Sequence, residues 1–72
     1  MSTRYFVSDQ YSPPTLLRRM DFVDEAFVQG SWRPTKTIVD YMAGEDDFVS
    51  DISEAQARQL APAAFAPDAR SA

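Results

Sequence analysis

The absence of cysteine constrains this sequence more than any other feature. Small domains of about this size often depend on disulfides or on a thiolate-bound metal, and a chain of 72 residues without cysteine can use neither. Histidine is absent too, so imidazole-bound zinc, iron or copper and catalytic Ser-His-Asp or Cys-His arrangements are excluded. The fold must therefore rest on a thin apolar core, for which the chain offers one Trp, three Tyr and five Phe.

Three short segments have the residue pattern of β-strands. Residues 4–8 are rich in β-favouring types, residues 15–20 alternate, and residues 25–29 form a third such segment. Pro13 and Pro14 separate the first two segments, and a polar turn separates the second from the third. The pattern predicts an antiparallel meander of three strands, because Gly30-Ser31 and then Pro34 interrupt the chain after the third.

The next segment has the signals of a short helix. Pro34 suits a helix start, Thr35 can cap it, and Gly44 suits the residue after its end. Apolar residues at Ile38, Val39 and Met42 would lie on one face of a helix of about nine residues, which needs a sheet to pack on. Residues 48–52, which follow, fit either one more strand or an extended arm.

A capping box is the clearest local signal in the chain. Ser53 can accept the amide of Gln56, whose side chain can bond back to the amide of Ser53. This predicts a second helix from about Glu54 to Ala61, with Pro62 ending or bending it.

Together these elements predict one α+β domain. We expect a small three-stranded antiparallel meander packed with two short helices over residues 1–66. Residues 67–72 have no apolar anchor and are expected to form a flexible, disordered C-terminal tail.

Charge is spread unevenly along the chain. Residues 1–36 carry five bases and four acids, whereas residues 37–72 carry two bases and seven acids, and the net charge is −4. Nucleic-acid binders usually show a basic stripe instead. We therefore expect no direct binding to nucleic acid, and a partner protein with a basic surface.

Candidate partner-binding residues combine aromatic side chains with this acidic region. The tryptophan could be a binding hot spot, but in so short a chain it is more often part of the core. The set is Trp32, Asp40, Tyr41, Glu45, Asp46, Asp47 and Asp51.

Other sites have weaker support. The acids could hold Ca²⁺ or Mg²⁺, but they lack the order of an EF-hand loop and fit a solvated link better, so no metal and no cofactor are expected. Arg18 and Arg19 could grip a phosphate, yet neighbours on a strand point to opposite faces, and we expect one of them to pair with Asp21, Asp24 or Glu25.

Catalysis has little support in the residues present. Lys36, the single lysine, could act as a nucleophile only if buried, and no acid pairs with it at a useful spacing. With two glycines, the chain also has no glycine-rich phosphate loop. We expect no enzymatic activity.

Six short motifs within residues 5–65 carry a resemblance. They are Leu17-Arg18-Arg19, Val23-Asp24-Glu25-Ala26-Phe27, Trp32-x-Pro34-Thr35, Asp40-Tyr41, Gly44-x-Asp46-Asp47 and Ile52-Ser53-Glu54-Ala55-x-Ala57. In these the chain resembles small proteins found in actinobacteria and their phages. The resemblance implies a compact α+β module in a bacterial or phage setting, and it carries over no catalytic residue.

Two functions remain as hypotheses. The first is a small protein-interaction module with an accessory or regulatory role. The alternative is an acidic, phage-encoded inhibitor that mimics nucleic acid and occupies the groove of a host nucleic-acid-binding protein. The longest uncharged run, nine residues from Gln59 to Pro67, is far short of the about 20 apolar residues of a membrane span. No secretory stretch is seen at the start, so we expect a cytoplasmic protein without membrane partners.

Overall fold

A five-stranded antiparallel sheet forms the centre of the protein in the computed structural model, which describes residues 3–10, 13–45 and 47–66. The strand order is β4-β3-β2-β1-β5. The elements in chain order are β1 Thr3–Ser8, β2 Thr15–Met20, β3 Val23–Val28, β4 Ser31–Pro34, α1 Thr37–Met42, β5 Val49–Ile52, α2 Glu54–Leu60 and a 3₁₀ turn Pro62–Phe65. The class is α+β, but the predicted three-stranded meander is wrong, because two more strands extend the sheet at its edges.

Strand β4 was missed because Pro34 has the properties of a strand breaker. In the ladder, Thr35 donates its amide to Asp24 O at 3.2 Å, and Pro34 lies opposite Glu25. Hydrogen-bonding direction alternates along an antiparallel strand, so the nitrogen of Pro34 faces away from β3. On an edge strand the missing donor therefore costs no ladder bond.

Strand β5 resolves the ambiguity of residues 48–52. It pairs antiparallel with β1, from Tyr5 opposite Ile52 to Ser8 opposite Val49, and Asp9 donates its amide to Phe48 O at 3.0 Å. The chain reaches this edge by crossing the sheet through α1. A pairing between segments so far apart leaves no local signature in the sequence.

Alternation along the strands divides the side chains between two faces of the sheet. On the face covered by α2 and the 3₁₀ turn, called the α2 face, a core cluster is formed by Leu16, Trp32, Ala57 and Ala64. On the opposite face, called the α1 face, helix α1 packs on a cluster formed by Phe6, Leu17, Ala26, Ile38 and Val49. Because helical elements cover both faces of the sheet, the surfaces accessible to a partner lie at its edges, at its turns and on the outer sides of the helices.

The capping box at Ser53 is confirmed. Ser53 Oγ accepts the amide of Gln56 at 3.1 Å, and Gln56 Oε1 accepts the amide of Ser53 at 2.9 Å. The helix ends at Leu60, close to the predicted end, and Pro62 begins the 3₁₀ turn. Ile52, before the cap, packs on the cluster that contains Ala57.

Helix α1 is shorter than predicted, with six residues. It begins at Thr37 with Lys36 at the N-cap position, where no side chain makes a capping bond, so the predicted cap at Thr35 is wrong. Thr35 lies one residue earlier, and its Oγ1 accepts the amide of Thr37 at 3.2 Å. Gly44 has a φ of 80° and donates its amide to Tyr41 O, while Glu45 donates to Asp40 O. These two bonds form the Schellman motif, which needs a left-handed residue where the glycine stands.

Some expectations fall outside what the structure describes. The predicted tail, residues 67–72, and the candidate residue Asp46 lie outside the described residues. Within the described residues, no helix is both long enough and apolar enough to cross a membrane.

Candidate interaction surfaces

Trp32 lies in the core of the α2 face. Its side chain is 1% exposed, and its indole N–H donates to Ala64 O at 3.4 Å. The Arg18 guanidinium stacks on the ring at 3.9 Å from the ring centroid, and the Phe27 ring packs at 5.2 Å. Trp32 is therefore a core residue and not an exposed binding hot spot, and its indole offers almost no surface to a partner.

Tyr41 and Asp51 come together on the α1 face. The Tyr41 hydroxyl donates to Asp51 Oδ2 at 3.0 Å, and Arg4 Nη2 donates to Asp51 Oδ1 at 2.8 Å. The carboxylate of Asp51 is about half exposed, so it faces solvent while holding both partners. The hydrogen bond to Asp51 is the main reason that the pKa of Tyr41 is raised above its ordinary value, since the bond and the nearby negative charge both favour the neutral hydroxyl.

The remaining candidate acids of the described chain are exposed. Asp40 lies on α1, Glu45 follows its end, and Asp47 precedes β5. Within the described residues none of the three forms an ion pair, whereas Glu54 is drawn to Arg58 at 3.2 Å. Their charge is therefore directed into solvent.

Arg18 and Arg19 both pair with acids, on opposite faces of the sheet. Arg18 donates through Nε and Nη2 to Glu25 Oε1 on the α2 face. Arg19 makes two bonds to the carboxylate of Asp24 on the α1 face, and the pKa of its guanidinium is raised chiefly by this hydrogen bonding. The sequence predicted one such pair, but the cross-strand register supplies two.

An exposed apolar tip was missed by the sequence analysis. The turn between β2 and β3 consists of Asp21, with a φ of 55°, and Phe22, which is fully exposed. Met20 and Val23 flank the turn and are also exposed. The signal that could have found it is an aromatic residue in the two-residue gap of a hairpin, where polar residues and glycine are usual.

The two edges of the sheet differ in the backbone groups that they offer. The bond from Asp9 to Phe48 directs alternate residues of β5 towards β1, which leaves the amides and carbonyls of Val49 and Asp51 facing outward. On β4 the same alternation turns Trp32 and Pro34 outward, and proline has no amide proton. The edge of β5, called the acidic edge together with its neighbours Glu45 and Asp47, is thus the better template for another strand.

The two edges also differ in the sign of their exposed charges. Arg33, on β4, and Lys36, just after it, are exposed and form no ion pair within the described residues. The acidic edge carries the opposite sign. A charged partner therefore meets attraction at one edge and repulsion at the other.

The described part of the chain encloses no pocket. It also brings together no group of three side chains able to hold a metal ion. The surfaces that this structure does offer are the acidic edge and the apolar tip at Phe22.

Comparisons with protein-family models, with curated proteins and with solved structures found no match to this chain.

Proposed function

We propose that this protein is a small interaction module that binds a basic surface of another protein, in an accessory or regulatory role and without catalysis of its own. The observation that carries the proposal is the exposed charge of Glu45 and Asp47 beside β5, which is an edge strand; neither acid forms an ion pair within the described residues, and Asp40 on α1 adds a third such charge. Clustered acids at a solvent-facing edge steer a basic partner towards it and fix its orientation.

The proposal includes a cytoplasmic location, because a chain without cysteine gains no disulfides from an oxidising compartment. A bacterial or phage origin is part of the same proposal. It rests on the resemblance of the sequence motifs.

The alternative, an inhibitor that mimics nucleic acid, is less favoured by the arrangement of the acids. Such a mimic needs a row of free carboxylates spaced like phosphates. Asp51 is engaged by Arg4 and Tyr41, and Glu54 is engaged by Arg58. Two members of the acidic series are thus partly neutralised within the fold.

The test is affinity capture from a lysate of the native host, with quantitative mass spectrometry. The double variant Glu45→Gln, Asp47→Asn removes two charges at the acidic edge. We expect it to lower recovery of the captured partner on the order of fivefold, since each ion pair open to solvent contributes up to about 1 kcal/mol. The partner should carry a basic surface, and its recovery should fall as salt is raised.

The matched control is the double variant Asp21→Asn, Gln59→Lys, which changes net charge equally at exposed positions elsewhere. Asparagine suits the left-handed backbone at position 21 as well as aspartate does. Equal losses for both double variants, or capture of no partner by the wild type, would contradict the proposal.

A further inference from the structure

The outer side of β5 has the geometry of a docking site for one more strand. Its residues Val49 and Asp51 direct two amides and two carbonyls away from the sheet, and within the described residues no strand pairs with them. Unpaired edge groups of this kind bind extended peptides by adding a strand, with the backbone giving affinity and alternate side chains giving specificity.

The side chains of β5 specify what such a strand should carry. Ile52 lies on the α2 face of the edge and is partly buried, and Phe48, which directly precedes β5, is half exposed. The Asp51 carboxylate lies on the α1 face and is half exposed; it already bonds to Arg4 and Tyr41, so a basic side chain of a partner would share it with these two groups. Residues of an added strand also alternate between faces, so apolar side chains would meet Ile52 while basic side chains meet Asp51.

A second copy of this chain fits the edge less well. Pairing β5 with β5 would bring Asp47 and Asp51 of one copy close to the same acids of the other, and like charges oppose such a pair. Pairing β5 with β4 is favourable in charge, but β4 offers one outward amide, that of Trp32, because Pro34 has none.

We propose that the acidic edge binds an extended segment of a partner protein in which basic and apolar residues alternate, and that this segment pairs with β5 as a sixth strand. This inference rests on the proposed function, since it names the partner's chemistry at the same surface. It adds a specific claim: recognition depends on the outward amides of Val49 and Asp51 as well as on charge.

The experiment uses two synthetic octapeptides of equal composition and charge. One alternates Lys and Val, and the other has four Lys followed by four Val. Amide hydrogen exchange of the full chain is followed by NMR with each peptide. We expect the alternating peptide to slow exchange of the Val49 and Asp51 amides at least tenfold. The amides of Ser50 and Ile52, which already pair with β1, should change little.

Substitutions at Asp51 separate the backbone from the charge. Asp51→Thr removes the carboxylate and keeps the amide, so it should weaken the alternating peptide severalfold. Asp51→Pro also removes an amide that the sheet itself does not use, and it should weaken binding at least tenfold further. Ser50→Pro is the folding control: it removes an amide that bonds to β1 and should lower the melting temperature, whereas Asp51→Pro should melt close to Asp51→Thr.

Three results would overturn the sixth-strand proposal. The first is equal binding of both peptides without protection of Val49 and Asp51, which would leave the charge-based function standing. The second is no binding of either peptide, and the lysate capture then judges the proposed function separately. The third is protection of the two amides in the protein alone together with dimers in sedimentation, which would assign the edge to a second copy.

Discussion

On the α2 face, a helix with a reciprocal capping box and a 3₁₀ turn close over Trp32, and six partly buried hydrophobic residues pack around the cluster. On the α1 face a six-residue helix covers a cluster against which one such residue, Tyr41, packs. The α2 cluster contains a tryptophan and draws in neighbouring aromatic rings, among them Phe27 and Phe65. Helix α1 leaves Val39 and Met42 about half exposed. Apolar burial is the dominant favourable contribution to folding, so we infer that the α2 face contributes more of the stability.

The arginine pairs repeat this contrast. The Arg18 and Glu25 side chains are 17% and 6% exposed and lie beside Trp32, while those of Arg19 and Asp24 are 26% and 11% exposed. Neighbouring residues on one strand thus meet different dielectric surroundings. Removing one member of the Arg18–Glu25 pair should therefore cost more stability, because a buried charge without its partner is not solvated by water.

The largest expected effect is that of truncating the tryptophan. Trp32→Ala should cost about 3–5 kcal/mol, and Ile38→Ala, its counterpart on the α1 face, about 2–3 kcal/mol. Urea unfolding followed by circular dichroism measures both without depending on indole fluorescence. Trp32→Phe, which keeps a ring, should cost less than the alanine variant. A larger loss for Ile38→Ala would reverse the comparison between the faces.

Neutralising Asp24 and Glu25 in turn tests whether the two ion pairs differ in strength. Glu25→Gln leaves the Arg18 guanidinium without its counter-charge and should lower the free energy of unfolding by about 2–3 kcal/mol. This is less than the cost of breaking a wholly buried pair, because Arg18 retains some contact with water. Asp24→Asn should cost about 1 kcal/mol or less. Arg58→Gln, at the exposed pair on α2, is the control and should change the free energy of unfolding by less than about 0.5 kcal/mol. Equal costs for positions 24 and 25 would show that the faces do not differ electrostatically.

The two helix starts provide a smaller contrast. Ser53→Ala loses one bond of a reciprocal pair and should cost about 1–2 kcal/mol. Thr35→Ala loses one bond, which it makes to the Thr37 amide from the position before the N-cap, and should cost about 0.5 kcal/mol. Thermal unfolding of both variants tests this order. Ser53→Asp should be nearly neutral, because aspartate also caps and suits the helix dipole. If Ser53→Ala unfolds like the wild type, the capping box does not stabilise α2.

The smallest expected effect is seen in alkaline titration, where the tyrosines on the two faces have raised pKa values for different reasons. The pKa of Tyr5, on the α2 face, is raised chiefly by burial, and that of Tyr41, on the α1 face, chiefly by its hydrogen bond to Asp51. Both hydroxyls stay neutral in the fold at a pH where they ionise in the unfolded chain. Because both pKa values are raised by folding, the two neutral hydroxyls contribute fully to the stability of the fold below about pH 10, and this contribution is lost as the pH rises through the folded pKa values.

Tyrosinate absorbance is the measurement for this prediction. Asp51→Asn should lower the pKa of Tyr41 towards its ordinary value and leave that of Tyr5 unchanged. Tyr41→Phe identifies which transition belongs to Tyr41. Equal shifts of both tyrosines in Asp51→Asn would mean that the two hydroxyls do not respond to separate surroundings.

Local elements were predictable because their signals lie within a few residues. The bounds of β2 match the predicted segment 15–20, and the capping box joins residues three apart. The Schellman end of α1 was marked by Gly44. Strand β4 was not predictable in this way, since Pro34 is compatible with a strand only when its nitrogen faces away from the sheet.

The candidate site was predictable in composition and not in arrangement. The acidic series from Asp40 to Asp51 is visible in the sequence, but its place beside an open edge depends on β5 pairing with β1. The exposure of Phe22 and the burial of Trp32 could not be told from residue type, because an aromatic side chain is compatible with either.

The sequence by itself determined the α+β class, the second helix with its cap, and the acidic character of the later half. These follow from hydrogen bonds and periodicities between residues close in the chain, which form in the same way wherever the segment lies. Tertiary structure alone decided the number of strands, the two arginine pairs and which strands, β4 and β5, form the edges of the described sheet. Each of these depends on contacts between distant segments, such as the pair of Arg4 and Asp51, which are 47 residues apart, and the register that joins them is set only when the whole sheet assembles.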